Sequence, residues 1–210
     1  MEKIKRGIAH FLFWASYPVL RVLYPMKLHW EDKAATEEAF KDHCVVFSNH
    51  LGYVEGLFMT RLFNKYRVWT FVGKDWYDKK PINWLFRNLP YISIDRKSGM
   101  DTSWMDTTTK IMSEGASIYI LPEGHTSPID RMDVFKPGFL VLAKQTDSTP
   151  IPMYISRKIK PFRMTHLVIG APLHYDLHED GRPSLVMKKY CAMARDAVDG
   201  LGQKLKAGEV

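Results

Sequence analysis

Short apolar runs that end in polar or ionisable residues recur along this chain, spaced so that one helix fits between each and the next, and this alternation is its strongest constraint on fold. Residues 44–48, 67–72, 91–94, 117–121, 151–155 and 166–169 read as strands. Between and around them, 34–41, 54–64, 81–88, 101–113, 137–146 and 184–205 carry the spacing of amphipathic helices. Strands alternating with helices predict an α/β protein, a mixed central sheet flanked by helices. With 210 residues, 46% of them apolar, and no repeat or Gly/Ser linker, residues 34–210 are expected to form one domain.

Residues 1–33 differ in character. Lys3, Lys5, Arg6, Arg21 and Lys27 stand against Glu2 in the first 30 residues, 5 − 1 = +4, interleaved with Ile8, Phe11, Leu12, Phe13, Trp14, Val19, Leu20 and Val22. Pro18 and Arg21 interrupt the run, which is too short to span a bilayer, where about 20 apolar residues are needed. No small-x-small cleavage site follows, as a signal peptide requires. The segment is expected to form one or two helices kinked near Pro18 and lying in an anionic membrane surface. The alternative is a helix packed on the domain itself. Cys44 and Cys191 sit in apolar stretches and read as reduced thiols. Neither Cys nor His occurs in pairs at ligand spacing, so no metal site is expected. A net charge of +7 calls for anionic partners, and without a nucleic-acid fold signature none of these is expected to be nucleic acid.

The ionisable groups that follow the β-runs carry the chemistry. His50 and Glu55 lie in Ser48-Asn49-His50-Leu51-Gly52-Tyr53-Val54-Glu55 directly after 44–47. Five residues of continuous helix turn through about 500°, so the two side chains meet only if His50 is in the turn and Glu55 in the helix that follows. In that geometry a neutral imidazole can take a proton from an alcohol near neutral pH while the carboxylate fixes its tautomer. Alone, the pair also fits an ordinary surface contact. Lys74, Arg96, Glu123 and Gly124 follow later strands in the segments Gly73-Lys74-Asp75, Pro90-Tyr91-Ile92-Ser93-Ile94-Asp95-Arg96 and Leu121-Pro122-Glu123-Gly124-His125-Thr126-Ser127, ahead of Lys136-Pro137-Gly138 and Thr149-Pro150-Ile151-Pro152.

Taken in order, these blocks resemble the glycerolipid acyltransferase family, the lysophosphatidic acid (1-acylglycerol-3-phosphate) O-acyltransferases and their relatives, over residues 43 to 155. The resemblance implies a His-x4-acid dyad that deprotonates an acceptor hydroxyl for attack on an acyl thioester, without an acyl-enzyme. His50 would be the base and Glu55 its partner, with Lys74, Arg96, Glu123 and Gly124 binding substrate. Three departures stand out: Glu55 replaces the usual Asp, Thr126 stands where the family has an arginine, and Pro90 replaces a glycine. His125 and Arg131 are candidates to compensate for the missing arginine. His125-x4-Asp130 also matches the dyad pattern, but its Leu-Pro-Glu-Gly lead-in belongs to the third block and Pro128 opposes the helix start a dyad acid occupies.

The expected activity is therefore transfer of a fatty acyl chain from acyl-CoA or acyl carrier protein to the hydroxyl of a lysophospholipid at the cytoplasmic face of a membrane, with no cofactor beyond the thioester co-substrate. A non-phosphate lyso-lipid acceptor, such as an aminolipid, is the alternative within enzymes. A non-catalytic basic module binding membrane or nucleic acid is the alternative outside them.

Overall fold

The computed structural model describes residues 2–95, 103–126, 132–177 and 179–210. Strands β1 (Met26–Trp30), β2 (Cys44–Ser48), β3 (Val68–Gly73), β4 (Tyr91–Ile94), β5 (Ser117–Ile120), β6 (Thr149–Ile155) and β7 (Thr165–Ile169) form one sheet in the order β1-β7-β6-β2-β5-β3-β4. The five strands from β6 to β4 are parallel, whereas β7 runs antiparallel to β6 and β1 parallel to β7. The sheet is therefore mixed, as the alternation predicts. All five parallel strands end at one edge, and that edge is where α/β sheets gather their functional loops.

Strand β2 shows why it is central. Every residue from Cys44 to Ser48 is buried, as expected of a strand covered on both faces. Val45 and Phe47 point to a core shared with α7 (Ser103–Ser113), α8 (Gly138–Thr146) and α9 (Pro183–Ala207). Cys44 and Val46 point to the opposite core, with Phe40 just after α3 (Lys33–Ala39) and with Met59 and Phe63 at α4 (Glu55–Leu62). The period of two thus partitions one strand between two layers.

Strand β1 lies inside the 1–33 segment read as membrane-associating. Met26, Leu28 and Trp30 alternate onto the second core, and the strand pairs with β7 from Met26↔Thr165 to Trp30↔Ile169. The sheet domain accordingly begins at Met26 rather than after residue 33. Two helices precede it, α1 (Glu2–Ala15) and α2 (Tyr17–Leu23), and the break falls at Ser16 with Pro18 in the first turn of α2. Helix α1 buries Ala9 against Phe86, Leu89 and Tyr91, on α6 (Asn83–Asn88) and the strand after it. Ile4, Ile8, Phe11 and Leu12 remain exposed. A short helix α5 (Lys74–Tyr77) follows β3 directly.

Candidate active site

The turn after β2 is built by a side chain that imitates backbone. Asn49 Nδ2 donates to the Ile155 carbonyl at 2.9 Å, and the Ile155 amide donates to Asn49 Oδ1 at 2.8 Å. The carboxamide therefore extends the β2–β6 ladder by one rung and frees the main chain to turn toward α4. His50 leaves the strand at that turn. Glu55 opens α4, where the helix N-terminus favours a negative charge.

The two side chains meet. His50 Nδ1 and Glu55 Oε2 are 2.8 Å apart, and the Leu51 amide donates to the other carboxylate oxygen at 3.0 Å. Glu55 is fully buried and His50 is 3% exposed. Burial pushes the Glu55 carboxyl above its usual range, opposed first by the hydrogen bond from His50, then by its charge and by the amides of Leu51 and Gly52. With Glu55 ionised, Nδ1 is the protonated nitrogen, which leaves Nε2 with its lone pair. Among the described residues Nε2 has no hydrogen-bond partner. His50 lines a cavity of about 400 Å³, walled mainly by Leu57, Phe71, Val72, Trp76 and Phe86, with Lys74 and Asp95 at its polar side.

Beneath the dyad, Ser48 and Tyr119 join their hydroxyls at 2.6 Å. Tyr119 is fully buried, and burial raises its phenol well above the ordinary range, with the charge of Glu55 adding to the effect. Gly56 allows α4 to approach β3: a Cβ there would sit 3.1 Å from Thr70 Oγ1. At the far end of α4, Arg61 is almost buried beneath the α1–α2 break. Its guanidinium donates to the carbonyls of Phe13 and Trp14, and lies 4.1 Å from the centre of the Tyr17 ring. One eight-residue helix thus joins the dyad acid to the N-terminal helices.

Glu123 has a different place from a ligand-facing carboxylate. One of its oxygens accepts the His50 amide at 2.7 Å and the other accepts the Asp133 amide at 2.9 Å, and the residue is 1% exposed. It ties the histidine turn to the 132–137 segment and does not line the cavity of His50. Gly124 has φ +74, a left-handed conformation suited to glycine, and its amide donates to the Leu121 carbonyl at 3.1 Å. A Cβ on Gly124 would come within 2.9 Å of Lys136 Nζ, so the lysine is laid over this turn. Both Glu123 oxygens are thus engaged by main-chain amides, and Gly124 is held in the turn beside it, whereas the resemblance implies substrate contact for the two. Lys74 does face the His50 cavity, 3.5 Å from Asp95. Arg96, Arg131, Ser127, Pro128 and Asp130 lie outside the described residues.

Local reading could reach the His50–Glu55 meeting because both residues belong to one turn. It missed Asn49, Tyr119 and Arg61, whose partners lie 47 to 106 residues away. The only sequence signal for them is chemical type: an amide, a phenol and a guanidinium next to motif residues. A larger cavity, about 1060 Å³, lies between the 132–137 segment, α8 and α9, and contains His125 and Arg195 but neither member of the dyad. Among the described residues no group of three His, Cys, Asp or Glu side chains could hold a metal ion.

A sequence model of the Acyltransferase family matches residues 27–156. No curated protein matches this chain. The fold is similar to the crystal structure of the 1-acyl-sn-glycerophosphate (LPA) acyltransferase PlsC from Thermotoga maritima, with a TM-score of 0.64 and 15% identity over 99% of this chain and 98% of that one.

Proposed function

This chain belongs to the Acyltransferase family, and from that premise we propose that it moves a fatty acyl group from an acyl-CoA or acyl carrier protein thioester to the hydroxyl of a lysophospholipid such as 1-acylglycerol-3-phosphate. The observation that carries the reading is the 2.8 Å contact between His50 Nδ1 and Glu55, which leaves the other face of a buried imidazole to an apolar cavity. His50 Nε2 takes the hydroxyl proton as the oxygen attacks the thioester carbonyl. Glu55 holds the imidazolium that forms. The C–S bond then breaks, and the thiolate leaves and is protonated by His50. No metal or organic cofactor is required by this sequence of steps. A general base so held typically contributes about 10²- to 10⁴-fold.

Lys74 supplies a cation at the mouth of the cavity for the acceptor phosphate, and Arg96 is the second phosphate ligand that the resemblance implies. The name carried by the similar Thermotoga maritima structure supports a 1-acylglycerol-3-phosphate acceptor. A second reading, an acceptor without phosphate, is favoured by Thr126 in the position of the family arginine and by the contact of Lys74 with Asp95. Glu123 acts on this reading by holding the His50 backbone, not by binding substrate. The exposed apolar side chains of α1 and α2 support seating on an anionic membrane surface, which this reading places at the cytoplasmic face, and no helix among the described residues is long and apolar enough to cross a bilayer.

The test is release of free thiol from palmitoyl-CoA by purified protein, offered lyso-acceptors with and without a phosphate. Turnover with 1-acylglycerol-3-phosphate that falls on Lys74→Ala through a higher acceptor KM supports the leading reading. Turnover only with phosphate-free acceptors supports the second. No thiol release with any acceptor or donor overturns both.

A further inference from the structure

Among the described residues three that are not glycine have a left-handed backbone: Arg67, Asp147 and Phe162. Asp tolerates this conformation, and Arg67 caps a 3₁₀ turn while its guanidinium donates to the Glu114 carbonyl. Phe162 is the exception, a bulky ring at φ 57 with no such local reward, in the turn between β6 and β7. Its side chain is 75% exposed, while Ile159, three residues earlier in the same turn, is buried. Strained backbone that presents a large apolar side chain to solvent is the kind of outlier from which a functional role is inferred.

The turn is fastened to the N-terminal helices. The Phe162 amide donates to the Leu23 carbonyl at 2.6 Å, and the Thr165 amide donates to the Pro25 carbonyl at 3.0 Å. Val22, one residue from that fastening, is 73% exposed, and Val19 and Met164 are exposed as well. Lys160 and Arg163 flank the ring, and Arg21 is exposed on α2 beside Val22. Exposed apolar side chains set among cations match a bilayer interface, where rings enter the acyl boundary and cations meet anionic headgroups.

We propose that the Lys160–Met164 turn is a second membrane-contact element, with Phe162 as its inserted side chain, continuous with α2 and selective for anionic phospholipid. The proposal rests on the membrane reading of the N-terminal helices and adds an element that lies some 140 residues further along the chain. It gives the protein two fixed points of contact, so that the sheet edge bearing His50 meets the bilayer in one orientation.

The strain supplies an unusually clean variant. Phe162→Gly suits a positive φ, so it keeps or improves the fold while removing the ring. In flotation with phosphatidylcholine vesicles containing phosphatidylglycerol, its partitioning falls about five- to tenfold, with an unchanged or higher thermal midpoint. Lys160→Glu/Arg163→Glu removes the preference for phosphatidylglycerol over pure phosphatidylcholine. Turnover of a short-chain, monomeric lyso-acceptor is unchanged in both. Wild-type-like partitioning of Phe162→Gly overturns the turn's role and leaves the N-terminal reading standing. Failure of the wild type itself to float overturns both. A loss confined to turnover with acyl carrier protein, at unchanged flotation, assigns the turn to that protein and overturns the membrane role.

Discussion

Two histidines among the described residues each contact a carboxylate, and they differ in almost every property that matters for catalysis. His50 and Glu55 meet at 2.8 Å with side chains 4% and 0% exposed. His125 and Asp133 meet at 3.2 Å with side chains 53% and 52% exposed. At the second pair water and salt screen the interaction, which places it among surface ion pairs of little consequence. At the first, no solvent competes for the carboxylate. The ring nitrogens differ too. His125 spends Nδ1 on the Glu123 carbonyl at 3.1 Å and Nε2 on Asp133. His50 spends only Nδ1, and its other nitrogen has no hydrogen-bond partner among the described residues. A histidine next to an acid is therefore not a base by proximity: it must keep one nitrogen free and have its partner shielded.

The sharpest way to break the comparison is to remove each ring. His50→Ala is expected to lower kcat by about 10²- to 10⁴-fold, read as thiol release, and His125→Ala to stay within about threefold. The reverse order would transfer the chemistry to the exposed pair. Next in size is the acid. Glu55→Gln keeps the shape, removes the charge that holds the imidazolium, and should cost about 10²-fold in kcat. Glu55→Asp tests the departure from the family pattern: one methylene less cannot reach both His50 Nδ1 and the Leu51 amide from an unchanged helix, and a fall of about tenfold follows.

A smaller effect belongs to Glu123. Glu123→Gln leaves one amide facing an NH₂ group instead of an oxygen, so His50 shifts. A fall in kcat of about tenfold at constant acceptor KM is expected. A rise in acceptor KM at constant kcat would instead restore Glu123 to the substrate. The smallest effect concerns the stacked His29–His166 pair at the β1–β7 edge, 2.9 Å apart. Burial first, then the charge of His166, lowers His29 below its ordinary value of 6.5. The folded protein then binds fewer protons than the unfolded chain, so stability present above pH 6.5 is lost as the pH falls through the interval between 6.5 and the lowered value. Thermal midpoints of His29→Phe should show a shallower dependence across that interval.

Much of this protein is legible in the chain itself. Covering β2 on both faces requires an unbroken apolar run, and Cys44–Phe47 supplies one. The separation of His50 from Glu55 requires a turn before a helix, and Gly52 together with the apolar spacing from Leu57 onward marks it. These features are local, set by the periods of strand and helix, and local patterns survive without coordinates. Strand β1 was hidden because five alternating residues beside an aromatic-rich helical segment share its composition; only pairing with β7, about 140 residues away, makes it a strand.

The tertiary structure alone decided which groups a fold of this kind would bring to bear on His50. Asn49 is a ladder extension only because Ile155 lies beside it, Glu123 is a clamp only because two amides converge on it, and Arg61 links the dyad helix to the N-terminal pair only because α1 ends above it. Each depends on a side chain bonding the main chain of a distant segment, and those main-chain amides and carbonyls recur along the whole chain and so leave no mark in the order of side chains. The chain encodes a histidine and an acid within reach of each other, and the assembled layers bury one such pair and leave the other as solvated surface.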